Sequence, residues 1–287
     1  MSESIRTFDK LFGSVDDNTY VALEFLDGSS LGVVETFLDP NGMRGSRQHD
    51  AERVRRSQRF VQGTLRFAPV PTELDFLLPA ILGADESADS FALAETIPYR
   101  YFTTSRDGTL HKYQVKVNRA VFEFAEGAPL TLSLDVVGVD ESAGSSRSEA
   151  LGDDGGPYVM SDAGLTIGGT TYQFRSGQLE INNFLEVKYN NSVTPSAIHS
   201  TDLQIQIAYA LPYGDASAAY GTAVTGVASV LTFTNGNRST VFTLAGVAAP
   251  KQSLPLGGRG ARDLPWTGIA RRTGSTAPLV VTNDSTG

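Results

Sequence analysis

Hydrophobic and polar side chains alternate along most of this chain. In Val61-Gln-Gly-Thr-Leu-Arg-Phe, Val61, Leu65 and Phe67 fall on one face, and Gln62, Thr64 and Arg66 on the other. Leu130-Thr-Leu-Ser-Leu-Asp-Val places Leu130, Leu132, Leu134 and Val136 opposite Thr131, Ser133 and Asp135. His111-Lys-Tyr-Gln-Val-Lys-Val directs Tyr113, Val115 and Val117 inward. Period 2 is the mark of half-buried antiparallel strands. Similar stretches follow at Leu165, Thr171, Gln178, Leu203, Val230 and Thr240. One segment breaks the rule. From Thr72 to Gly83 the apolar positions Leu74, Leu77, Leu78 and Ile81 follow helical spacing, with Thr72 as a cap and Gly83 as a stop. Pro79 inside it predicts a kink or two short pieces. The expected fold class is therefore all-β with a minor helix.

Residues 141–164 are rich in Gly, Ser and acidic side chains and read as a linker. The strand pattern restarts after it and resembles a repeat. Val61-Gln-Gly-Thr-Leu-Arg-Phe-Ala-Pro can be laid on Leu203-Gln-Ile-Gln-Ile-Ala-Tyr-Ala-Leu-Pro. A helix-like stretch follows each, Thr72–Leu82 and Asp215–Tyr220, and then a hairpin whose second strand ends in Gly-Val. The expected division is a first β-sandwich unit at 1–150, a shorter second unit at 151–250, and a C-terminal arm at 251–287. The competing reading is two unrelated β halves that share generic hairpins.

Charge adds an asymmetry. The chain carries a net charge of -9 over 287 residues. Residues 44–59 hold six arginines (Arg44, Arg47, Arg53, Arg55, Arg56, Arg59) against Asp50 and Glu52. Residues 251–287 are also basic, so the remainder of the chain carries the acidic excess. An acidic body repels phosphate, which argues against a nucleic-acid-binding surface there. The arginine-rich loop reads as an arm that docks on the acidic face of another copy. It also reads as a solvated loop paired to Asp50 and Glu52. Contact with nucleic acid fits it less well, because little aromatic character is interleaved beyond Phe60.

Candidate chemistry is sparse. There is no cysteine, which removes disulfides and thiolate chemistry. His49, His111 and His199 are scattered and form no metal-ligand spacing. No GxSxG elbow or phosphate-binding loop occurs. The reading is a non-enzyme with no catalytic residue, no metal and no cofactor. No apolar run is long enough to span a membrane as a helix, and the first residues lack a signal-peptide layout, so cytoplasmic assembly without membrane contact is expected.

Three stretches carry a family resemblance. Phe60-Val-Gln-Gly-Thr-Leu-Arg-Phe-Ala-Pro-Val-Pro-Thr-Glu-Leu-Asp-Phe-Leu-Leu-Pro-Ala-Ile-Leu-Gly resembles the strand and helix of tail tube (major tail) proteins of long-tailed bacteriophages. Leu130-Thr-Leu-Ser-Leu-Asp-Val-Val-Gly is similar to their closing strand, and Ser176-Gly-Gln-Leu-Glu-Ile-Asn-Asn-Phe to a strand of duplicated versions. The resemblance covers most of residues 15–250. It implies β-sandwich units whose inner strands join an oligomeric β-barrel, in rings that stack into a tube for DNA ejection. A duplicated chain would need three copies per pseudo-hexameric ring; without duplication, a homohexamer is the better expectation. Implied partners are further copies of itself, the terminator, tape measure and distal tail proteins, and DNA in transit. The implied location is the virion tail, assembled in the host bacterial cytoplasm. Gln62, Thr64, Thr131, Ser133 and Asp135 become lumen candidates and the Arg44–Arg59 loop a ring-to-ring contact. Alternation alone does not say which face is inward. Pro278-Leu-Val-Val-Thr reads as a strand that adds to a neighbour's sheet. The alternative is a non-tube phage β-sandwich, such as a binding, decoration or baseplate protein, or a carbohydrate-binding module. The lone Trp266, placed in an irregular tail, speaks against sugar stacking.

Overall fold

The computed structural model describes residues 10–39, 51–106, 109–145, 147, 151, 156–212, 226–250 and 263–286. The first half contributes β1 (Lys10–Ser14), β2 (Tyr20–Leu23), β3 (Ser30–Leu38), β4 (Arg55–Phe67), α1 (Pro71–Leu82), β5 (Ser90–Ala92), β6 (Arg100–Arg106), β7 (Thr109–Ala125) and β8 (Thr131–Ala143). The second contributes β9 (Ala163–Ile167), β10 (Thr170–Tyr172), β11 (Ser176–Asn182), β12 (Leu185–Lys188), β13 (Ala197–Ser200), β14 (Gln204–Pro212), β15 (Val227–Asn235), β16 (Arg238–Ala248), β17 (Asp263–Arg271) and β18 (Leu279–Asp284). The protein is all-β with one α-helix among the described residues.

Sixteen strands are hydrogen-bonded into a single sheet, and β12 with β13 forms a separate hairpin. Seven of the sixteen run in the order β3-β4-β8-β7-β11-β14-β17, each antiparallel to its neighbour. A second run, β10-β9-β15-β16-β18-β5, folds back over it. Aromatic contacts show the two layers face to face: Phe122 meets Phe242 at 5.1 Å, and Phe124 meets Phe233 at 5.5 Å, both edge-on. Gly177 of β11 makes room for this packing, since a Cβ there would lie 2.3 Å from the Phe124 ring. The pairing β6-β1-β2 continues from the far half of β7.

The alternation fixes which side is core. Val61, Leu65 and Phe67 of β4, Leu132, Leu134 and Val136 of β8, and Tyr113, Val115 and Val117 of β7 are all buried, as the period-2 reading requires. One hydrophobic cluster runs from Leu11 to Val281, so both halves share a core. The helix is a single piece despite Pro79. Val70, not Thr72, is its N-cap, because Pro71 takes the first position, where a missing N–H costs nothing. Glu73 accepts the backbone N–H groups of Val70 and Glu24 (3.2 and 2.8 Å). Gly83 ends the helix at φ 96.

Three expectations are corrected. The stretch 263–286 is no arm. β17 lies beside β14 and β16, and β18 lies between β16 and β5 of the same chain. Trp266 is accordingly buried in β17 and stacks on Tyr209 at 5.7 Å. Pro265 and Gly268 break the apolar run of β17, which hid it in the sequence. The third correction concerns the repeat. β4 and β14 each pair antiparallel with an earlier strand of the seven-strand run, β3 and β11. The hairpins do not match: β7–β8 lies beside β4, whereas β17 takes the place beside β14 and β15–β16 lies in the other layer. The second half thus extends past residue 250. The helix-like stretch Asp215–Tyr220 lies outside the described residues.

A polar knot fastens β18. Thr240 Oγ1 lies 3.0 Å from the Tyr158 hydroxyl and donates to Asn283 Oδ1 at 2.5 Å. Asn283 Nδ2 donates to Pro71 O at 2.8 Å and Asp75 Oδ1 at 2.6 Å. Burial raises the Asp75 pKa, and the charges of Glu86 and Asp89 add to the rise, against hydrogen bonds from Ser285 and Asn283. A raised carboxyl pKa contributes stability that is full below the unfolded value, about 4. That contribution is lost as pH rises through the folded value. Asp75→Asn should therefore flatten the change in urea midpoint between mildly acidic and neutral pH; an unchanged pH profile would show that Asp75 does not couple to folding.

Candidate functional site: a polar sheet face and its edges

Since residues of β4 (from Val61), β8, β11, β14 and β17 enter the core alternately, the remainder form one continuous opposite face across the middle of the seven-strand run. The sequence-derived residues Gln62, Thr64, Thr131, Ser133 and Asp135 all stand on it, alternating with the buried positions of β4 and β8. The registers extend this face across the middle of the chain. Thr64 lies opposite Asp135, Asp135 opposite Arg119, Arg119 opposite Asn182, and Asn182 opposite Gln204. A neighbouring row holds Arg66, Ser133, Val121, Glu180 and Gln206, and the next Thr131, Glu123, Gln178, Ala208 and Thr267.

Hydrogen bonds tie the first rows together. Thr64 Oγ1 donates to Asp135 Oδ1 at 2.7 Å. Arg119 donates two bonds to Glu180, at 2.6 and 3.0 Å, and approaches Asp135 at 3.6 Å. The Glu180 hydrogen bond raises the Arg119 pKa further. Arg119 and Glu180 belong to β7 and β11, so the pair spans the seam between the two halves. Arg119, Gln178, Glu180, Gln204, Gln206 and Thr267 were not singled out by sequence. Their signal was present, in Gln178-Leu-Glu-Ile-Asn and Gln204-Ile-Gln-Ile-Ala, but only the pairing β7–β11 brings them to one face.

The arginine cluster is divided by the structure. Arg44 and Arg47 lie outside the described residues. Arg55, Arg56 and Arg59 are not loop residues: β4 begins at Arg55 and pairs with β3. Polar side chains dominate both faces of this stretch, so it reads as a loop in sequence although backbone pairing with β3 makes it a strand. Arg59 contacts Glu35 and Asp140 (3.6 and 2.9 Å), and Arg56 contacts Glu35 at 3.4 Å. The Arg59 backbone N–H donates to Val193 O, between β12 and β13. Arg53 and Arg55 are exposed and form no ion pair among the described residues.

Two edges of the seven-strand run are open. β3 pairs only with β4, and residues 263–268 of β17 pair only with β14, among the described residues. No group of three or more His, Asp or Glu side chains suited to a metal occurs among the described residues. His111 instead contacts Glu141 at 2.5 Å. No described helix is long and apolar enough to cross a membrane.

A broad polar face, a self-contained sandwich and open sheet edges define a structural, assembly-forming class of protein. The family model described as phage tail tube protein matches residues 10–270, and the chain belongs to that family. It is thus a structural component of the bacteriophage tail, built to assemble with itself and with other tail proteins. No curated protein matches the chain.

The Arg119–Glu180 pair is partly exposed (38 and 25 %), which limits its strength. A double-mutant cycle with Arg119→Ala and Glu180→Ala should give a coupling of about 0.2–1 kcal/mol. A coupling well above that range would show the seam depends on this pair rather than on backbone bonds.

Proposed function

We propose that this chain closes into rings of three copies, and that the rings stack into the tail tube through which DNA leaves the virion. The supporting observation is the seven-strand run itself. Four strands come from the first half (β3, β4, β8, β7) and three from the second (β11, β14, β17); in this reading one chain supplies two units of a ring. The edge of β3 would join residues 263–268 of β17 in the next copy. Such a contact uses two different edges and closes by rotation. It also leaves no sheet edge unpaired in the ring.

In this reading the polar face lines the channel. Gln62, Thr64, Thr131, Ser133 and Asp135 stand there beside Gln178, Gln204 and Gln206. Arg119 is already paired to Glu180, so it offers phosphate little unmatched charge. A conduit that gripped many phosphates would stall its cargo. Before ejection the channel would hold the tape measure protein, and the tube ends would meet the terminator and distal tail proteins. Arg53, Arg55, Arg56 and Arg59, with Arg44 and Arg47, would serve ring-to-ring docking, where complementary charge favours register and association rate.

Mass per ring separates three copies from six. Native mass spectrometry should give three chains, and electron microscopy hollow tubes at high concentration. A persistent monomer in all salts would overturn the reading. Because the chain has no cysteine, Gln178→Cys is a clean probe. It should react with both small and bulky maleimides when unassembled, and only with the small one in tubes; equal reaction of both in tubes would place this face outside the channel. Arg53→Glu, Arg55→Glu and Arg56→Glu together should stop tube growth and leave rings intact. Normal tubes in that variant would remove these arginines from docking.

A further inference from the structure

Beyond Val61, which lies opposite Gly138, β4 and β8 part company. β4 continues back to Arg55 with β3 alone, as a two-stranded ribbon rich in arginine, while β8 runs on beside β7 to Ala143. A fork opens between them. Along it the β4 edge from Arg55 to Phe60 has no strand partner on the β8 side among the described residues. Two contacts bridge the fork. The Arg59 side chain reaches Asp140 of β8 at 2.9 Å, and the Arg59 backbone N–H donates to Val193 O at 2.8 Å. Val193 lies in the connection between β12 and β13, a hairpin from the other half of the chain that pairs with no further strand among the described residues.

A two-stranded hairpin alone is marginal in water. What holds this one therefore decides whether Val193 stays on β4. Side chains hold it in place of a strand. Lys116 Nζ of β7 donates to Ile198 O at 2.9 Å and lies 4.5 Å from the centre of the Tyr99 ring. The Tyr99 hydroxyl hydrogen-bonds to the backbone of the same residue. Asn118, the extra residue of the β7 bulge between Val117 and Arg119, accepts the Leu185 N–H on Oδ1 at 2.8 Å. Ile198 and Lys116 are buried, at 2 and 8 % exposure. Burial lowers the Lys116 pKa, and no carboxylate among the described residues offsets the shift. Opening the hairpin returns this ammonium to water, so the hydration of Lys116 favours release and the attachment is reversible.

We infer that the β12–β13 hairpin is a latch, pegged by Lys116 and Tyr99, that guards the forked edge of β4 against strand pairing with other copies of the chain before assembly. Unpaired edges invite pairing between chains, and native proteins cover them. Here the cover for a first-half strand comes from the second half. Opened, the latch bares the Arg59 N–H and the buried Ile198 together. It acts in the unassembled chain, whatever the number of copies in a ring.

The test uses the full, unassembled chain. Lys116→Met keeps the apolar stem and removes the peg, and Tyr99→Leu removes the ring and its hydroxyl. Neither substitution alters β4 or Val193. In each variant the Arg59 amide, followed by hydrogen exchange in NMR spectra, should exchange faster by about tenfold or more, the size of a lost hydrogen bond from a charged donor. The amides of β4 from Val61 to Phe67 should keep their rates. Light scattering should show each variant associating at severalfold lower concentration than the unaltered chain. Unchanged exchange at Arg59 in both variants would overturn the latch. Equal quickening from Val61 to Phe67 would also overturn it, since Lys116 would then hold the core and not a separate hairpin. Faster exchange at Arg59 with an unchanged association threshold would overturn the guarding role.

Discussion

Seven backbone pairs between β7 and β11, from Arg119 opposite Asn182 to Ala125 opposite Ser176, weld the two halves of the chain into one sheet. Everything else in the architecture depends on that seam. It sets Phe122 opposite Leu179 and Phe124 opposite Gly177 on the inner side, and so provides the floor on which Phe242 and Phe233 pack. It also aligns the outer residues of both halves in common rows. A slip of one residue would turn Leu179 and Ile181 outward and bury Gln178 and Glu180. Burial of an unpaired carboxylate costs several kcal/mol, so the register is held by what it would otherwise bury.

The core face was legible because the alternation in β4, β7 and β8 is regular, and Leu65, Phe67, Leu132 and Leu134 could be placed from spacing alone. The five polar-face candidates followed from the same period. What sequence could not give was the partner of each strand. Pro278-Leu-Val-Val-Thr was readable as a strand, yet its neighbours β16 and β5 lie far away in the chain. β17 was hidden because Pro265 and Gly268 interrupt it, although Trp266 and Leu264 are buried. The start of β4 was read as loop because Arg55, Arg56 and Arg59 give it no apolar stripe; it is a strand through backbone bonds to β3. The repeat was half legible, since similar hairpins carry no information about which layer they join.

The polar face and the arginine ribbon handle charge in different ways. On the face, Arg119 is matched within the sheet by Glu180 and Asp135, while Arg66 stands exposed at its β4 edge. At the start of β4, Arg53 and Arg55 form no ion pair among the described residues, while Arg56 and Arg59 pair with Glu35 and Asp140. Net charge does not separate these two situations; pairing does. An acidic total of -9 describes the average and says little about either surface.

β18 fastens the outer layer of the sheet at two edges at once. Its residues 279–284 close the gap between β5 and β16, where Val281 lies opposite both Phe91 and Phe242. Without them, the edge of β16 and the ring of Phe242 would be uncovered, and Asp75 and Thr240 would lack their bonds to Asn283. A polypeptide interrupted before Leu279 therefore carries a sticky, unfinished outer layer. β18 thus acts as a seal: one short strand covers an apolar edge and completes a buried polar network in the same stroke.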